Sequence, residues 1–154
     1  MAFDPDFDLV LTRDLKAPSS VLWECWTKPE HIVHWFVPKP HKIAKCEVDL
    51  RPGGACNMTF DVDGTLMENN GVYLEIIPGE KLVFTDGYAA GWKPSAEPFM
   101  TAIITFEDLG NGMTRYTAVA RHRNKEAATT HKEMGFFDGW GTVATQLEAY
   151  AQGL

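Results

Sequence analysis

The sequence lacks an excess of basic residues and lacks long apolar runs, and both absences narrow the range of functions. There are 14 Lys and Arg against 21 Asp and Glu, for a formal net charge of -7. Nucleic-acid-binding proteins concentrate Lys and Arg on one face, so we expect no nucleic-acid partner and no attraction to an anionic membrane surface. No apolar run approaches the ~20 residues of a membrane-spanning helix, so we expect no membrane insertion.

Features of secreted proteins are also scarce. The opening stretch "MAFDPDFDLV" carries acids where a secretory leader has basic and then apolar residues, so we expect a cytoplasmic protein. Cys25, Cys46 and Cys56 are an odd set without a C-x-x-C spacing. This pattern predicts reduced, buried thiols instead of a disulfide framework.

Catalytic and cofactor motifs are missing as well. There is no G-x-S-x-G, and no cysteine sits in a recognisable Cys/His motif. The stretch "RPGGAC" (51–56) lacks the Lys-Ser/Thr pair and the following helix of a phosphate-binding loop. A zinc site needs three or four ligands, which His31 and His34 do not complete. We therefore expect neither a metal nor a cofactor.

The chain of 154 residues, 45% of them apolar, fits one domain spanning residues 1–154. Its first segment, "FDLVLTRDLKA", predicts a strand. Helical spacing follows Ser19 or Ser20, and either serine would cap that helix. Pro29 stops the helix and starts a second, shorter one, which ends at Pro38 and Pro40.

From residue 41 to about 123 the pattern is that of an antiparallel meander. The alternating runs "HKIAKCEVDL" and "ACNMTFDV" are separated by "RPGG", and the second run ends at Asp63-Gly64. Further along, "LGNGM" separates the last two runs. Such turns between alternating runs indicate β-hairpins, which favours five or six further antiparallel strands.

The tail from Asn124 onward returns to helical spacing. Its apolar stripe comprises Phe136, Trp140, Val143, Leu147 and Tyr150. Gly135, Gly139 and Gly141 interrupt the stripe, so we expect a kink or a close backbone approach there. This helix is the only predicted element large enough to cover the apolar face of the sheet. Space left between a curved sheet and the helix is a candidate pocket.

Several stretches together resemble a known family. They are "APSSVLWECWTKPEHIVHWF" (17–36), "EVDLRPGG" (47–54), "GVYLEIIPGEKLVF" (71–84), "PFMTAIITFED" (98–108) and "GFFDGW" (135–140). The chain is similar to SRPBCC, or START-like, proteins, and within them to the branch of AHSA-type activators of the heat-shock chaperone ATPase. One departure is Val37 in "WFVP", where relatives often carry glycine.

The resemblance implies an α+β helix-grip fold. We expect a curved antiparallel sheet of six or seven strands, two short helices after the first strand, and a long C-terminal helix packed over the sheet with a cavity between. Superfamily members include lipid carriers, hormone receptors, plant pollen-allergen-type proteins and polyketide cyclases. By resemblance, the cavity would hold a small hydrophobic or amphipathic ligand.

The residues expected to bind that ligand are aromatic side chains and methionines, which suit an adaptable apolar pocket. They are Trp35, Phe36, Met58, Phe60, Phe84, Tyr88, Met100, Phe137 and Trp140. Trp35 and Phe36 would close one end of the pocket, aimed by the prolines on either side of them.

Few polar side chains are candidates for orienting a ligand or moving a proton. Asp138 lies among aromatics in "GFFDGW", where its pKa would rise and suit acid–base chemistry; the plainer interpretation is a solvent-facing helix residue. His34 is the second candidate, against the plainer interpretation of a surface imidazole. Arg121 and Arg123 beside His122 would suit a ligand carboxylate or simply mark a solvated strand end.

The sequence therefore favours a non-enzymatic protein that binds a small hydrophobic or amphipathic molecule, lipids included. The alternative is an enzyme of the cyclase or hydratase kind that uses Asp138 or His34 as acid or base. A co-chaperone-like interaction module, by analogy with the chaperone-activator branch, ranks third. The sequence leaves open whether the chain forms a homodimer.

Overall fold

A computed structural model describes residues 2–154 of the chain. The elements in chain order are β1 (Asp8–Leu15), α1 (Ser19–Thr27), α2 (Pro29–Ile32), β2 (Lys42–Val48), β3 (Ala55–Val62), β4 (Thr65–Ile77), β5 (Lys81–Thr85), β6 (Tyr88–Ala89), β7 (Lys93–Pro94), β8 (Thr101–Gly110), β9 (Met113–Arg121), α3 (Lys125–Glu133) and α4 (Phe136–Gln152).

Seven of the strands form an antiparallel sheet in the order β1-β9-β8-β5-β4-β3-β2. Its hairpin turns have positive φ: Asp63 and Gly64 at 54° and 87°, Asn111 and Gly112 at 55° and 73°. Asp, Asn and Gly tolerate this conformation, so these residues dictate the β3–β4 and β8–β9 hairpins. β6 and β7 pair as a separate hairpin outside the main sheet. The predicted α+β architecture with an antiparallel sheet is confirmed.

Helix α4 covers the sheet with its apolar side. Its residues buried in the main core are Phe136, Val143, Ala144, Leu147 and Ala151. The helical tail predicted from Asn124 is divided into α3 and α4 by Gly135, which has a φ of 96°. A left-handed conformation favours glycine, so the tail breaks at this residue. In place of a kink within the stripe, the helix breaks completely at Gly135, just before the stripe begins at Phe136.

The start of α1 differs from the prediction. No side chain caps the helix, so the predicted capping by Ser19 or Ser20 is wrong. The carbonyl of Pro18 instead accepts hydrogen bonds from the N–H groups of Val21 and Leu22, both at 3.1 Å. A backbone acceptor ahead of the first turn thus replaces the side-chain cap.

The corner between α1 and α2 depends on Pro29, which occupies the first turn of α2 as predicted. Because proline has no N–H, the carbonyl of Cys25, four residues earlier, lacks its usual helical donor. The indole Nε1–H of Trp35 donates to that carbonyl at 3.0 Å. Trp35 is consequently 1% exposed, and its ring packs edge-on against Trp26 with centroids 4.9 Å apart.

A buried histidine pair ties the amino-terminal segment to α3. His122 Nδ1 lies 2.9 Å from the carbonyl of Phe7, and because a carbonyl only accepts, this nitrogen carries the proton. In the neutral pair His131 Nδ1–H then donates to His122 Nε2 at 2.9 Å. Burial, and to a lesser degree the neighbouring His122, lowers the pKa of His131 to about 4.

The arginines beside this pair differ in their surroundings. Arg121 donates two hydrogen bonds to the carboxylate of Asp8, at 2.8 and 3.0 Å. This ion pair lowers the pKa of Asp8 and raises that of Arg121. Arg123 is exposed. Arg121 thus joins β9 to β1, and its guanidinium is already committed to an acid of the chain.

Replacing Trp35 by Phe is expected to destabilise the protein by about 1–3 kcal/mol, because the Cys25 carbonyl would be left buried without a donor. The change is measured as the free energy of unfolding in a urea titration. Trp92, which is 57% exposed, supplies the matched control. Trp92→Phe should change the free energy by less than about 0.5 kcal/mol. Equal losses in the two variants would contradict the assigned role of Trp35.

Acid is expected to weaken the fold through His131. In the unfolded chain this imidazole titrates near a pKa of about 6.5, whereas in the folded protein its pKa is about 4. The neutral form therefore stabilises the fold above pH 6.5, and this contribution is lost as the pH falls from about 6.5 to about 4.

The measurement is the pH dependence of the unfolding free energy in this window, for the natural protein and His131→Phe. The variant retains an aromatic ring against Phe99 and Phe136, whose centroids lie 4.6 and 5.1 Å from that of His131. Its slope should be smaller by up to about 1.4 kcal/mol per pH unit, the value for one proton. Identical slopes would refute the assignment to His131.

Candidate functional site

A small cavity lies against the inner face of the sheet, and we call it the sheet cavity. Its volume is about 50 Å³. The residues that line it are Phe36, Cys56, Met58, Asn69, Gly71, Phe84, Thr85, Asp86, Phe99 and Met100. They come from β3, β4, β5, the connection between β5 and β8, and the segment after α2. Helix α4 contributes none of them, so this cavity differs in position from the one expected between sheet and C-terminal helix.

Strand alternation explains the walls of the sheet cavity. Cys56 and Met58 are two residues apart on β3 and therefore face the same side of the sheet. Phe84 faces the same space from β5. Phe36 enters from the α2 side, packs 5.5 Å from Trp26 and stacks 6.4 Å from Phe60. Met58 of β3, Phe84 of β5 and Phe36 from the segment after α2 thus line the same cavity.

Gly71 sets the distance between β4 and the end of β5. A Cβ atom at this position would come within 2.4 Å of the Thr85 carbonyl oxygen. The backbones can approach so closely only because glycine has no side chain. The Gly71 N–H is held by Asn57 Oδ1 at 3.3 Å.

The polar side of the cavity is held by Asp86. Its carboxylate accepts hydrogen bonds from the N–H groups of Phe99, at 2.9 Å, and Met100, at 3.0 Å. Thr85 Oγ1 donates to the Met100 carbonyl at 3.2 Å, and Ser95 Oγ donates to the Asp86 carbonyl. These bonds fix the connection between β5 and β8 as a wall. Asp86 therefore has a positioning role in the described structure.

Apart from the Asp86 carboxylate, the side chains that line the cavity are apolar or uncharged at neutral pH. Burial raises the pKa of Cys56 to about 11, so its thiol is protonated at neutral pH and is a weak nucleophile. The neighbouring Tyr73 hydroxyl also has a raised pKa, again mainly because of burial. Burial likewise raises the pKa of Cys25 and of Cys46 to about 11. Such an interior suits binding better than covalent catalysis.

Four of the residues predicted to bind a ligand meet at the sheet cavity: Phe36, Met58, Phe84 and Met100. The structure places the other five elsewhere. Trp35 is in the core, Phe60 stacks behind Phe36, and Trp140 packs on Phe136 with centroids 5.5 Å apart.

Tyr88 and Phe137 lie on the outside, 41% and 42% exposed. Tyr88 belongs to the small β6–β7 hairpin, where it contacts Trp92, because β5 ends at Thr85 and its alternation stops there. Phe137 points outward because the adjacent Phe136 occupies the buried side of α4, and successive helix residues are ~100° apart.

The two acid–base candidates also lie away from the sheet cavity. Asp138 is exposed on the first turn of α4. His34 is exposed and stacks on Tyr150 with ring centroids 5.2 Å apart. His31 Nδ1 contacts the hydroxyl of the same tyrosine at 2.7 Å. The two histidines of the sequence "PEHIVH" therefore share Tyr150 of α4 as a partner.

Sequence reasoning missed Asn69, Gly71 and Thr85 in the lining, together with Cys56 and Phe99. One signal was available: a glycine inside a strand often marks a close backbone approach, as at Gly71 in the middle of β4. The commitment of Asp86 to two amides 13 and 14 residues away follows from tertiary structure alone.

Two further properties concern the described residues as a whole. Over residues 2–154, no three or more His, Cys, Asp or Glu side chains are grouped so as to hold a metal ion. None of the helices in this range is long and apolar enough to cross a membrane.

Comparisons with known proteins agree with the architecture. A protein from Nitrosomonas europaea is 39% identical over 98% of this chain and 97% of its own, with a TM-score of 0.94. Proteins from Mycobacterium smegmatis (24% identical, 94% and 90% covered, TM-score 0.78) and Rhodobacter sphaeroides (14%, 99% and 97%, TM-score 0.84) share the fold. No curated protein matches the chain. The model of the family "Activator of Hsp90 ATPase homolog 1-like protein" matches residues 16–152, so the chain belongs to this AHSA-type branch of the SRPBCC proteins.

Proposed function

We propose that the protein binds a small apolar or amphipathic molecule in the sheet cavity. The observation that carries the proposal is the convergence of Phe36, Met58, Phe84 and Met100 on one cavity whose polar groups are few and fixed. Ligand sites of this kind combine apolar walls with a small number of oriented polar groups.

The volume of the cavity limits what fits without rearrangement. At about 50 Å³ it is smaller than an engineered cavity of about 150 Å³ that accepts benzene. Met58 and Met100 are the adjustable walls, since methionine has three rotatable bonds and fills irregular gaps. We therefore propose a ligand that inserts one apolar group, with burial contributing about 25 cal/mol per Å² of apolar surface.

Binding is favoured over catalysis by the positions of the ionisable groups. A cyclase or hydratase needs an acid or base within hydrogen-bond reach of the reacting atoms. Asp86 is the carboxylate that lines the cavity, and its oxygens are occupied by backbone amides. Asp138 and His34 lie outside the lining.

A chaperone-interacting module is the second candidate, and it rests on the family description, which names activation of the Hsp90 ATPase. Stimulation of a purified Hsp90 ATPase by this protein would support it. Unchanged turnover with an excess of the protein would count against it.

Occupation of the sheet cavity is expected to move two methionine methyl signals in NMR spectra of protein labelled with ¹³C at the methionine methyl groups. The protein is titrated with xenon, benzene and indole, in order of size. The methyl signals of Met58 and Met100 should shift in a saturable way, because both residues line the cavity. Met67 and Met134, 53% and 69% exposed, are internal controls that should stay in place. If every probe leaves Met58 and Met100 unchanged, the proposal is wrong.

Narrowing the rim of the cavity should weaken that binding. Asn69 is exposed, lines the cavity and pairs with Met58 across β3 and β4, so Asn69→Trp adds bulk at the rim of the cavity. We expect the affinity for indole to fall by about tenfold or more, equivalent to about 1.4 kcal/mol. Asn70→Trp is the matched control, because alternation directs residue 70 to the other face of β4. Equal affinities of the two variants would contradict the location.

A further inference from the structure

A second concave site lies outside the sheet cavity, between residues 33–43 and residues 145–150 of α4. We call it the helix groove. Its volume is about 960 Å³, near the upper end of the range of about 300–1,000 Å³ typical of small-molecule sites. It shares no lining residue with the sheet cavity, so an inference from it stands independently of the proposed function.

The helix groove collects cationic and imidazole groups on a protein of net charge -7. Lys39, Lys42, His34 and His41 all line it. Over residues 2–154 neither lysine forms an ion pair, although Asp61 is the cross-strand neighbour of Lys42. These charges therefore lack a partner within the chain.

His41 provides a further unpaired group. Its Nδ1 atom is buried without a hydrogen-bond partner, and the nearest approach of an acid to it is Asp63 Oδ1 at 4.0 Å. A buried polar atom without a partner is unfavourable, so an added acceptor or donor there stabilises the site. The acids beside these cationic groups are Asp61 and Asp63, and neither lines the groove.

The wall carrying these groups is held in place by α4. The side-chain amide of Gln146 donates to the carbonyls of Trp35 and Val37 at 3.0 and 2.8 Å, and its oxygen accepts from the Lys39 N–H at 3.0 Å. One side chain thus fixes the backbone of residues 35–39, from which Lys39 projects, and pairing of β2 with β3 holds Lys42. A wall that is ordered before binding loses less entropy when a ligand arrives.

The groove also has an apolar part, formed by Val33, Val37, Pro40, Ile43 and Ala149. Apolar surface beside unpaired cations suits a molecule with an apolar body and one anionic end. A polyanion such as nucleic acid would be repelled by the net charge of -7. From this complementarity we propose that the helix groove binds a small amphipathic anion, with Lys39 and Lys42 holding its carboxylate, sulfonate or phosphate group.

The test uses a matched pair of fluorescent probes: anilinonaphthalene sulfonate, which is anionic, and N-phenylnaphthylamine, which lacks the charge. The natural protein should bind the sulfonate saturably and more tightly than the uncharged probe. Lys39→Gln/Lys42→Gln should weaken sulfonate binding by about tenfold, which corresponds to about 1.4 kcal/mol for the two exposed charges together. Affinity for the uncharged probe should not change.

Three controls make the outcome specific. Lys45→Gln/Lys132→Gln removes the same charge from exposed positions outside the groove and should leave sulfonate binding unchanged. Lys39→Arg/Lys42→Arg preserves the charge and should retain affinity. Asn69→Trp, which narrows the sheet cavity, should leave sulfonate binding unchanged. Failure of the helix-groove proposal can therefore be told apart from failure of the sheet-cavity proposal. Absence of saturable sulfonate binding, or equal losses in both Lys→Gln pairs, would overturn the proposal.

Discussion

The hydrogen bond between the indole of Trp35 and the carbonyl of Cys25 is the interaction on which both candidate sites depend. It exists because Pro29 withholds the amide that would otherwise satisfy that carbonyl. Once Trp35 is held, its neighbours are directed to opposite sides. Phe36 faces the sheet cavity, and His34 lies outside against Tyr150. A missing donor in one helix thus sets the orientation of the next segment.

Trp26 packs the corner between α1 and α2 against the core. Its ring lies 4.9 Å from Trp35, 5.5 Å from Phe36 and 5.8 Å from Phe84, measured between centroids. Aromatic pairs at such separations contribute about 0.5–1.5 kcal/mol each beyond the area that they bury. Gln146 holds the same segment from the α4 side. The segment of residues 33–39, which contributes residues to both the sheet cavity and the helix groove, is therefore supported from both directions.

Much of the fold could be predicted because its determinants are local. Asp63-Gly64 and Asn111-Gly112 specify hairpins through positive φ, and Pro29 specifies a helix start through its ring. These effects act within a few residues and need no knowledge of the core. The failed capping prediction at Ser19 and Ser20 shows the limit, since a backbone carbonyl performs the same task and leaves no trace in composition.

The candidate site could be predicted only in part, because the chemical type of a side chain does not specify the direction in which it points. Phe136 and Phe137 are identical residues side by side, yet one is buried and the other is 42% exposed. The apolar stripe identifies Phe136 as the inward residue, and a helix cannot turn two successive side chains to one face. Tyr88 shows the corresponding limit in a strand, since alternation holds only until the strand ends at Thr85. Because β5 ends before residue 88, Tyr88 lies outside the lining of the sheet cavity.

The small volume of the sheet cavity follows from what fills the space beneath α4. Phe136, Leu147 and Trp35 are buried there in the same cluster as Leu11 and Tyr116. Large side chains fill this layer, and the sheet cavity lies beyond it, where Gly71 has no side chain and the methionines Met58 and Met100 are flexible. Within one fold, the distribution of side-chain volume between helix and sheet thus decides where a ligand can enter. In this protein it places the sheet cavity away from α4 and against β3, β4 and β5.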